Sequence, residues 1–159
     1  MKKTQESGRS MVEMLGVLAI IGVLSVGGIA GYTMAMNRYR ANEVVDMANK
    51  YAVIAYSAYM TNKMMNNGTV SGDPIPTFAS TGLFGGLSKV NGTEIGKAAM
   101  VKADGTAVSG TGGEDVNGVK IELKFDNQKI CQATATSLGI SNSTCAANGG
   151  TLTPTFKQS

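Results

Sequence analysis

The 159-residue sequence has no histidine, no tryptophan, only two cysteines and only three prolines. Without histidine the chain lacks imidazole acid–base chemistry, and two cysteines alone cannot form a Cys/His zinc site. No nucleophile has a recognisable base partner and no cofactor motif occurs, so we predict neither enzymatic activity nor a cofactor or metal. The net charge of +3 contains no basic cluster after the N-terminal region, so charge does not indicate nucleic-acid binding.

Charged residues are also missing from a long N-terminal stretch, where Glu13 is the single charge between Arg9 and Arg38. An uncharged segment of about 24 residues forms a helix of roughly 36 Å, enough to cross a bilayer core of about 30 Å. Lys2, Lys3 and Arg9 precede this segment, so we expect the N-terminus in the cytoplasm and the remainder exported.

A lone carboxylate in a membrane-length helix is expensive unless it is paired, which makes Glu13 a candidate functional residue. Cleavage between Gly8 and Arg9 would create a positive α-amino group about one helical turn from that carboxylate. A positive charge created there would neutralise Glu13.

The segment GRSMVEMLGVLAIIGVLSVGGIAGY resembles the leader junction and N-terminal helix of type IV prepilins and type II secretion pseudopilins. The matching positions are Gly8 before the cleaved bond, Ser10, Glu13 as the fifth mature residue, and the run Ala19–Gly22. The resemblance implies cleavage by prepilin peptidase, N-methylation of Arg9, and assembly into a helical homo-oligomer through Glu13. It also implies an inner-membrane precursor in contact with lipid, and an assembly platform with its ATPase as partners of an extracellular or periplasmic filament.

Other interpretations of the N-terminal segment stay open. An ordinary secretory signal places its cleavage site after the apolar region, whereas Gly8 lies before it. A pseudopilin of a secretion or DNA-uptake system would share every N-terminal feature. A monomeric, membrane-anchored binding module would need neither cleavage nor Glu13.

The resemblance implies an α+β, pilin-like fold, in which a long helix packs on a small antiparallel sheet beside a disulfide-stapled C-terminal region. We predict five segments: a leader (1–8), a membrane or filament-core half (9–37), an amphipathic half (38–66), a connecting loop (67–97), and the sheet with the disulfide-closed region (98–159). One helix, from Met11 to Met65, is predicted to span the second and third segments. Helical spacing predicts one core-facing stripe in the amphipathic half, formed by Ala41, Val45, Ala48, Ala52, Ala55 and Tyr59.

The connecting loop is predicted to contain only a short helical turn near Phe78 to Leu83, because it is rich in Gly, Ser, Thr and Pro. In the C-terminal region, Ala99–Ala103 and Thr106–Ser109 flank Asp104-Gly105 and predict a tight hairpin. Strict alternation from Val119 to Phe125 predicts a strand with one buried face.

A helix is predicted to follow Asp126 or Asn127 and to end at Gly139. Thr151–Lys157 is predicted as a last strand, which Pro154 restricts to an edge of the sheet.

Cys131 and Cys145 are predicted to form an intramolecular disulfide if this part is exported, and two free thiols if it stays in a reducing compartment. A disulfide at this place is also what the pilin resemblance implies. In the apolar helix, Gly27 and Gly31 have a small-xxx-small spacing that lets helices approach closely, and Gly22 is a third candidate packing position. A generic glycine of a membrane helix is the alternative for each of them.

Overall fold

The computed structural model describes residues 7–108 and 115–157, with side chains from residue 11 onward. Two compact units meet between Met36 and Asn37, within one continuous helix, α1, which spans Ser7–Met65. Helix α1 ends where Asn67 and Gly68 adopt positive φ angles of 51° and 88°. The structure thus confirms the predicted single helix, and the positive φ of Gly68 is typical of a helix stop.

The second unit contains the sheet strands and a shorter helix. After a turn of 3-10 helix at Ala79–Thr81, its elements are β1 (Lys89–Val90), β2 (Thr93–Ile95), β3 (Ala99–Val101), β4 (Gly118–Lys120), β5 (Leu123–Phe125), α2 (Gln128–Leu138), β6 (Cys145–Ala146), β7 (Gly149–Leu152) and β8 (Thr155–Lys157). All pairings are antiparallel, in a five-stranded sheet of order β1-β2-β5-β7-β6 and a three-stranded sheet of order β3-β4-β8. The fold is therefore α+β and pilin-like, as predicted.

The buried face of α1 in this unit is lined by small side chains. Ala41, Ala48, Ala52, Ala55 and Tyr59 are buried as predicted, but the structure buries Val44 and Tyr51 completely and leaves Val45 half-buried. Val44, Ala48, Tyr51 and Ala55 follow each other at intervals of four, three and four residues, which keeps the stripe on one side of the helix. These residues share one hydrophobic core with the sheet.

The alternating residues Val119, Ile121, Leu123 and Phe125 are all buried, which confirms the predicted buried face. The prediction of a single strand is wrong, because β4 and β5 belong to different sheets. The register explains the break. Lys120 pairs with Thr155 and Leu123 with Leu152, so Ile121 lies opposite Pro154 without any slip. The Ile121 amide donates to the Pro154 carbonyl at 3.1 Å, but proline has no N–H to return the bond.

On the opposite side of β4 and β5, Ala99 pairs with Lys120 and Ile95 pairs with Leu123. Three residues, 96–98, therefore lie opposite the two residues Ile121 and Glu122. This extra residue is a β-bulge, and it divides β2 from β3. Gly96 suits this position, because a Cβ there would lie only 3.1 Å from the Glu122 carbonyl oxygen, a tight contact that the neighbour would have to relieve.

Pro154 likewise divides the predicted last strand into β7 and β8. Strand β8 lies at a sheet edge as expected, whereas β7 lies between β5 and β6.

The predicted hairpin after β3 is present as a turn with a single bridge between Val101 and Ala107, and the main partner of β3 is β4. The prediction of an irregular connection over 67–97 extends too far, since β1 and β2 lie within it. The predicted helical turn in that segment is confirmed by the 3-10 helix.

Tyr51 attaches the connecting segment to the sheet. Its hydroxyl donates to the Pro76 carbonyl at 2.8 Å and accepts from the Ala98 amide at 3.0 Å, while its ring meets Phe78 edge-on at 5.6 Å. Burial raises the pKa of Tyr51, so the hydroxyl keeps its proton and can donate at neutral pH. A second link nearby is the ion pair between Asp73 and Lys97.

We predict that Tyr51→Phe lowers the free energy of unfolding by about 1–3 kcal/mol, because it leaves a carbonyl and an amide without their partner. Denaturant titration of the full chain in detergent micelles, followed by circular dichroism, measures this. Tyr39→Phe is the control, since Tyr39 is 65% exposed. Equal midpoints for the two variants would contradict the role given to Tyr51.

A second prediction concerns pH. The hydrogen bond from Lys97 lowers the pKa of Asp73 below its ordinary value of 3.8, so the stabilisation is present above that value and is lost as pH falls through the lowered pKa. Asp73→Asn should therefore lower the melting temperature at pH 7, and the difference should shrink as the pH falls below 3.8 and Asp73 takes up its proton. Lys97→Gln should have the same effect, and the double variant should lose no more than either single one. Additive losses at pH 7 would show that the pair is not coupled.

Candidate functional site

The exposed N-terminal half of α1 is the first candidate site. Among the residues with described side chains, positions 11–35 are all exposed, including large apolar side chains such as Leu15, Ile20 and Leu24. Helix α1 is long and apolar enough to cross a membrane, and none of its most apolar window is buried. An apolar surface of this size on every side of a helix is stable only in lipid or against other apolar helices.

Glu13 lies within this apolar helix and is exposed. Position 9 is also helical, so the backbone places it one turn, about 6 Å along the axis, before Glu13. The leader residues 1–6 lie outside the described residues, and the side chain of Arg9 is not described. The predicted cleavage site thus lies at the beginning of α1, with Gly8 and Arg9 inside its first turn.

Gly22, Gly27 and Gly31 share one property: a Cβ built at any of them meets no atom within 4 Å. No contact within the chain therefore requires glycine at these positions. If the close approach of a second helix explains these three glycines, that helix belongs to another molecule.

The second candidate site is the region closed by the disulfide. Cys131 in α2 and Cys145 in β6 are bonded, with 5.8 Å between their Cα atoms, and the predicted disulfide is confirmed. Asn127 caps α2 by accepting from the Lys129 and Ile130 amides, and Gly139 ends it with a φ of 65°, also as predicted. Residues 139–144, which connect α2 to β6, are all exposed.

Glycines hold this region together by close packing. A Cβ at Gly150 would collide with the Thr144 carbonyl oxygen and lie 3.1 Å from the Cys131 sulfur, and a Cβ at Gly149 would overlap the Phe125 carbonyl oxygen. Sequence reasoning missed both glycines, because their role depends on strands brought together from distant parts of the chain. The exposed segment 139–144 is consequently attached to a rigid base.

Chemistry other than binding finds little support in the described ranges. Within residues 7–108 and 115–157, no group of three or more His, Cys, Asp or Glu side chains is arranged to hold a metal ion. A shallow groove of about 520 Å³ lies between α1 and β8, lined by Asn49, Lys50, Val53, Thr155, Phe156 and Lys157. It contains no acid–base or nucleophile pair.

Two curated proteins are similar to this chain: the Type IV major fimbrial protein FimA of Dichelobacter nodosus and the protein of the same name from Dichelobacter nodosus strain VCS1703A. Each is 25% identical to it over 126 residues, which cover 77% of this chain and 68% of the relative. No family model and no solved structure matches the chain. The similarity and the long apolar N-terminal helix together support membership of a type IV pilin-like family.

We predict that replacing both Cys131 and Cys145 by serine lowers the free energy of unfolding by about 3 kcal/mol, since the bond closes a loop of about 15 residues. Denaturant midpoints with and without a reducing agent measure the effect. Reductant should lower the midpoint of the parent chain to that of the variant and leave the variant unchanged. A midpoint for the variant equal to that of the oxidised parent would refute the prediction.

Proposed function

We propose that this protein is a structural subunit of a type IV pilus-like filament, made as a membrane-anchored precursor and cut after Gly8 by prepilin peptidase. The observation that carries the proposal is the exposed apolar half of α1 with one carboxylate, Glu13, a turn after the cleavage position. The similar Dichelobacter nodosus proteins, named as type IV major fimbrial proteins, add support. In this proposal the precursor lies in the inner membrane with its N-terminus in the cytoplasm, and the rest of the chain is exported.

In this proposal, assembly is driven by burial of the apolar half of α1 and by one ion pair. The apolar half of α1 leaves lipid and packs against the same segment of neighbouring subunits, where Gly22, Gly27 and Gly31 allow close approach. The Glu13 carboxylate of an incoming subunit pairs with the Arg9 amino terminus of a neighbour. Either charge alone would be strongly unfavourable in the apolar core, so the pair selects the register in which both are neutralised.

The proposal also assigns partners and a modification. Prepilin peptidase cuts the precursor and methylates the new amino group of Arg9. An inner-membrane platform with its ATPase drives polymerisation. The role is structural rather than enzymatic, in keeping with the names of the similar fimbrial proteins.

We predict that Glu13→Ala is processed normally but forms no filaments, because the variant leaves the amino terminus of the neighbouring subunit unpaired. Intact-mass analysis of the membrane fraction reports cleavage, and electron microscopy of the sheared surface fraction reports filaments. Glu94→Ala is the matched control, since Glu94 is an exposed carboxylate on β2.

Each alternative function has its own outcome in the same experiment. Normal filaments from Glu13→Ala would refute the assembly mechanism. A parent chain that stays uncut would favour the anchored binding module. Cleavage with only short periplasmic polymers would favour a pseudopilin of a secretion system.

A further inference from the structure

The three residues that follow the apolar segment of α1 share an unusual combination of charge and exposure. Arg38, Tyr39 and Arg40 are all exposed, and the exposed fraction of Tyr39 is 65%. Successive helical residues are rotated by about 100°, so the three side chains point in three directions around the axis. We call them the interfacial ring. They surround the helix instead of forming one face, as a binding site for a single protein partner would.

The acidic residues near the interfacial ring already have partners. Asn91 donates to the Glu43 carboxylate at 2.7 Å, Lys50 pairs with Asp46 at 2.7 Å, and Lys89 pairs with Asp126 at 3.1 Å. No ion pair of Arg38 or Arg40 occurs among the residues that the structure describes. Neither guanidinium group is therefore held by a carboxylate of the described residues.

The tertiary contacts nearest the ring leave its side chains accessible. The Asn91 amide reaches the backbone carbonyl of Arg40 at 3.4 Å, and the Ser137 hydroxyl bonds the Asn42 side chain at 3.1 Å. Both contacts use the backbone of the ring or a residue beyond it, and neither covers a guanidinium group. The ring thus lies at the margin of the globular unit, directly after the last residues of the apolar segment.

This arrangement matches the chemistry of a bilayer surface. Guanidinium groups bind phosphate oxygens through paired hydrogen bonds, and tyrosine concentrates at the headgroup level of membranes. Basic residues next to a span also attract anionic lipids over a distance limited by the Debye length. We propose that the interfacial ring binds anionic phospholipid headgroups at the bilayer surface where the span of α1 ends. The proposal rests on membrane insertion of α1, which the proposed function also needs, but on neither cleavage nor polymerisation.

The test uses the full chain reconstituted in phosphatidylcholine vesicles, with spin-labelled phosphatidylglycerol and spin-labelled phosphatidylcholine as probes. Electron paramagnetic resonance gives the ratio of motionally restricted phosphatidylglycerol to phosphatidylcholine. We expect the parent chain to prefer phosphatidylglycerol by roughly threefold in 50 mM salt and less in 500 mM salt, where charges are screened. Arg38→Gln/Arg40→Gln should reduce that preference by about half or more.

Two control variants separate the ring from other positive charge. Lys120→Gln/Lys157→Gln removes the same charge from β4 and β8. Lys157 lines the same groove as Asn49, which lies nine residues, or roughly 14 Å, beyond Arg40 along α1, so this variant should reduce the preference less than the ring substitutions do. Lys2→Gln/Lys3→Gln removes the leader charge, and the effect of the ring substitutions should persist in that background. Co-flotation with vesicles reports insertion of every variant.

Four outcomes would overturn the inference. An unchanged preference in the inserted ring variant would show that the arginines do not contact headgroups. Unchanged lipid preference with lost filaments would assign them to contacts between subunits instead. A parent chain that fails to co-float would overturn both this inference and the proposed function, whereas a floating chain without lipid preference would overturn this inference alone.

Discussion

The hydrophobic core that α1 shares with the sheet, lined on the helix mainly by small side chains, is the constraint on which the globular unit depends. Ala41, Ala48, Ala52 and Ala55 are completely buried in the same core as the large side chains of β4 and β5. Alanine is the best helix former and fills little space, so the helix stays intact while the sheet supplies most of the volume. Tyr51 is a large, completely buried side chain on this face, and its hydroxyl bonds two backbone groups from separate segments.

The two halves of α1 are thus suited to different surroundings. Its second half presents a narrow stripe to the core and polar residues to water, and its first half is apolar on every side and exposed. The interfacial ring lies where the apolar half of α1 ends and the half with the core-facing stripe begins. A filament subunit needs both halves, because the apolar half must exchange lipid for neighbouring helices while the folded unit remains unchanged. In the proposed function the charge of Glu13 makes that exchange selective, since a carboxylate is tolerated in an apolar core only beside a positive group.

The C-terminal region shows how a rigid surface is built from little regular structure. Strands β6 and β7 contain two and four residues, yet the disulfide, the capped helix α2 and the tight packing of Gly149 and Gly150 hold them against β5. These constraints act on backbone atoms, so the exposed side chains of residues 139–144 can change without loss of the base beneath them. Such a surface is suited to contact with variable partners.

The sequence by itself determined the elements whose signals are local. These are the length and end of α1, the capped helix α2, the buried face from Val119 to Phe125, and the cysteine pair. Only the tertiary structure decided how strands were divided, which of Val44 and Val45 faces the core, and why Gly96, Gly149 and Gly150 are glycine. The physical reason is that alternation along a strand is the same whether its hydrogen bonds continue or stop. A missing N–H at Pro154 and an extra residue at 96–98 interrupt the ladder only when the partner strands are in place.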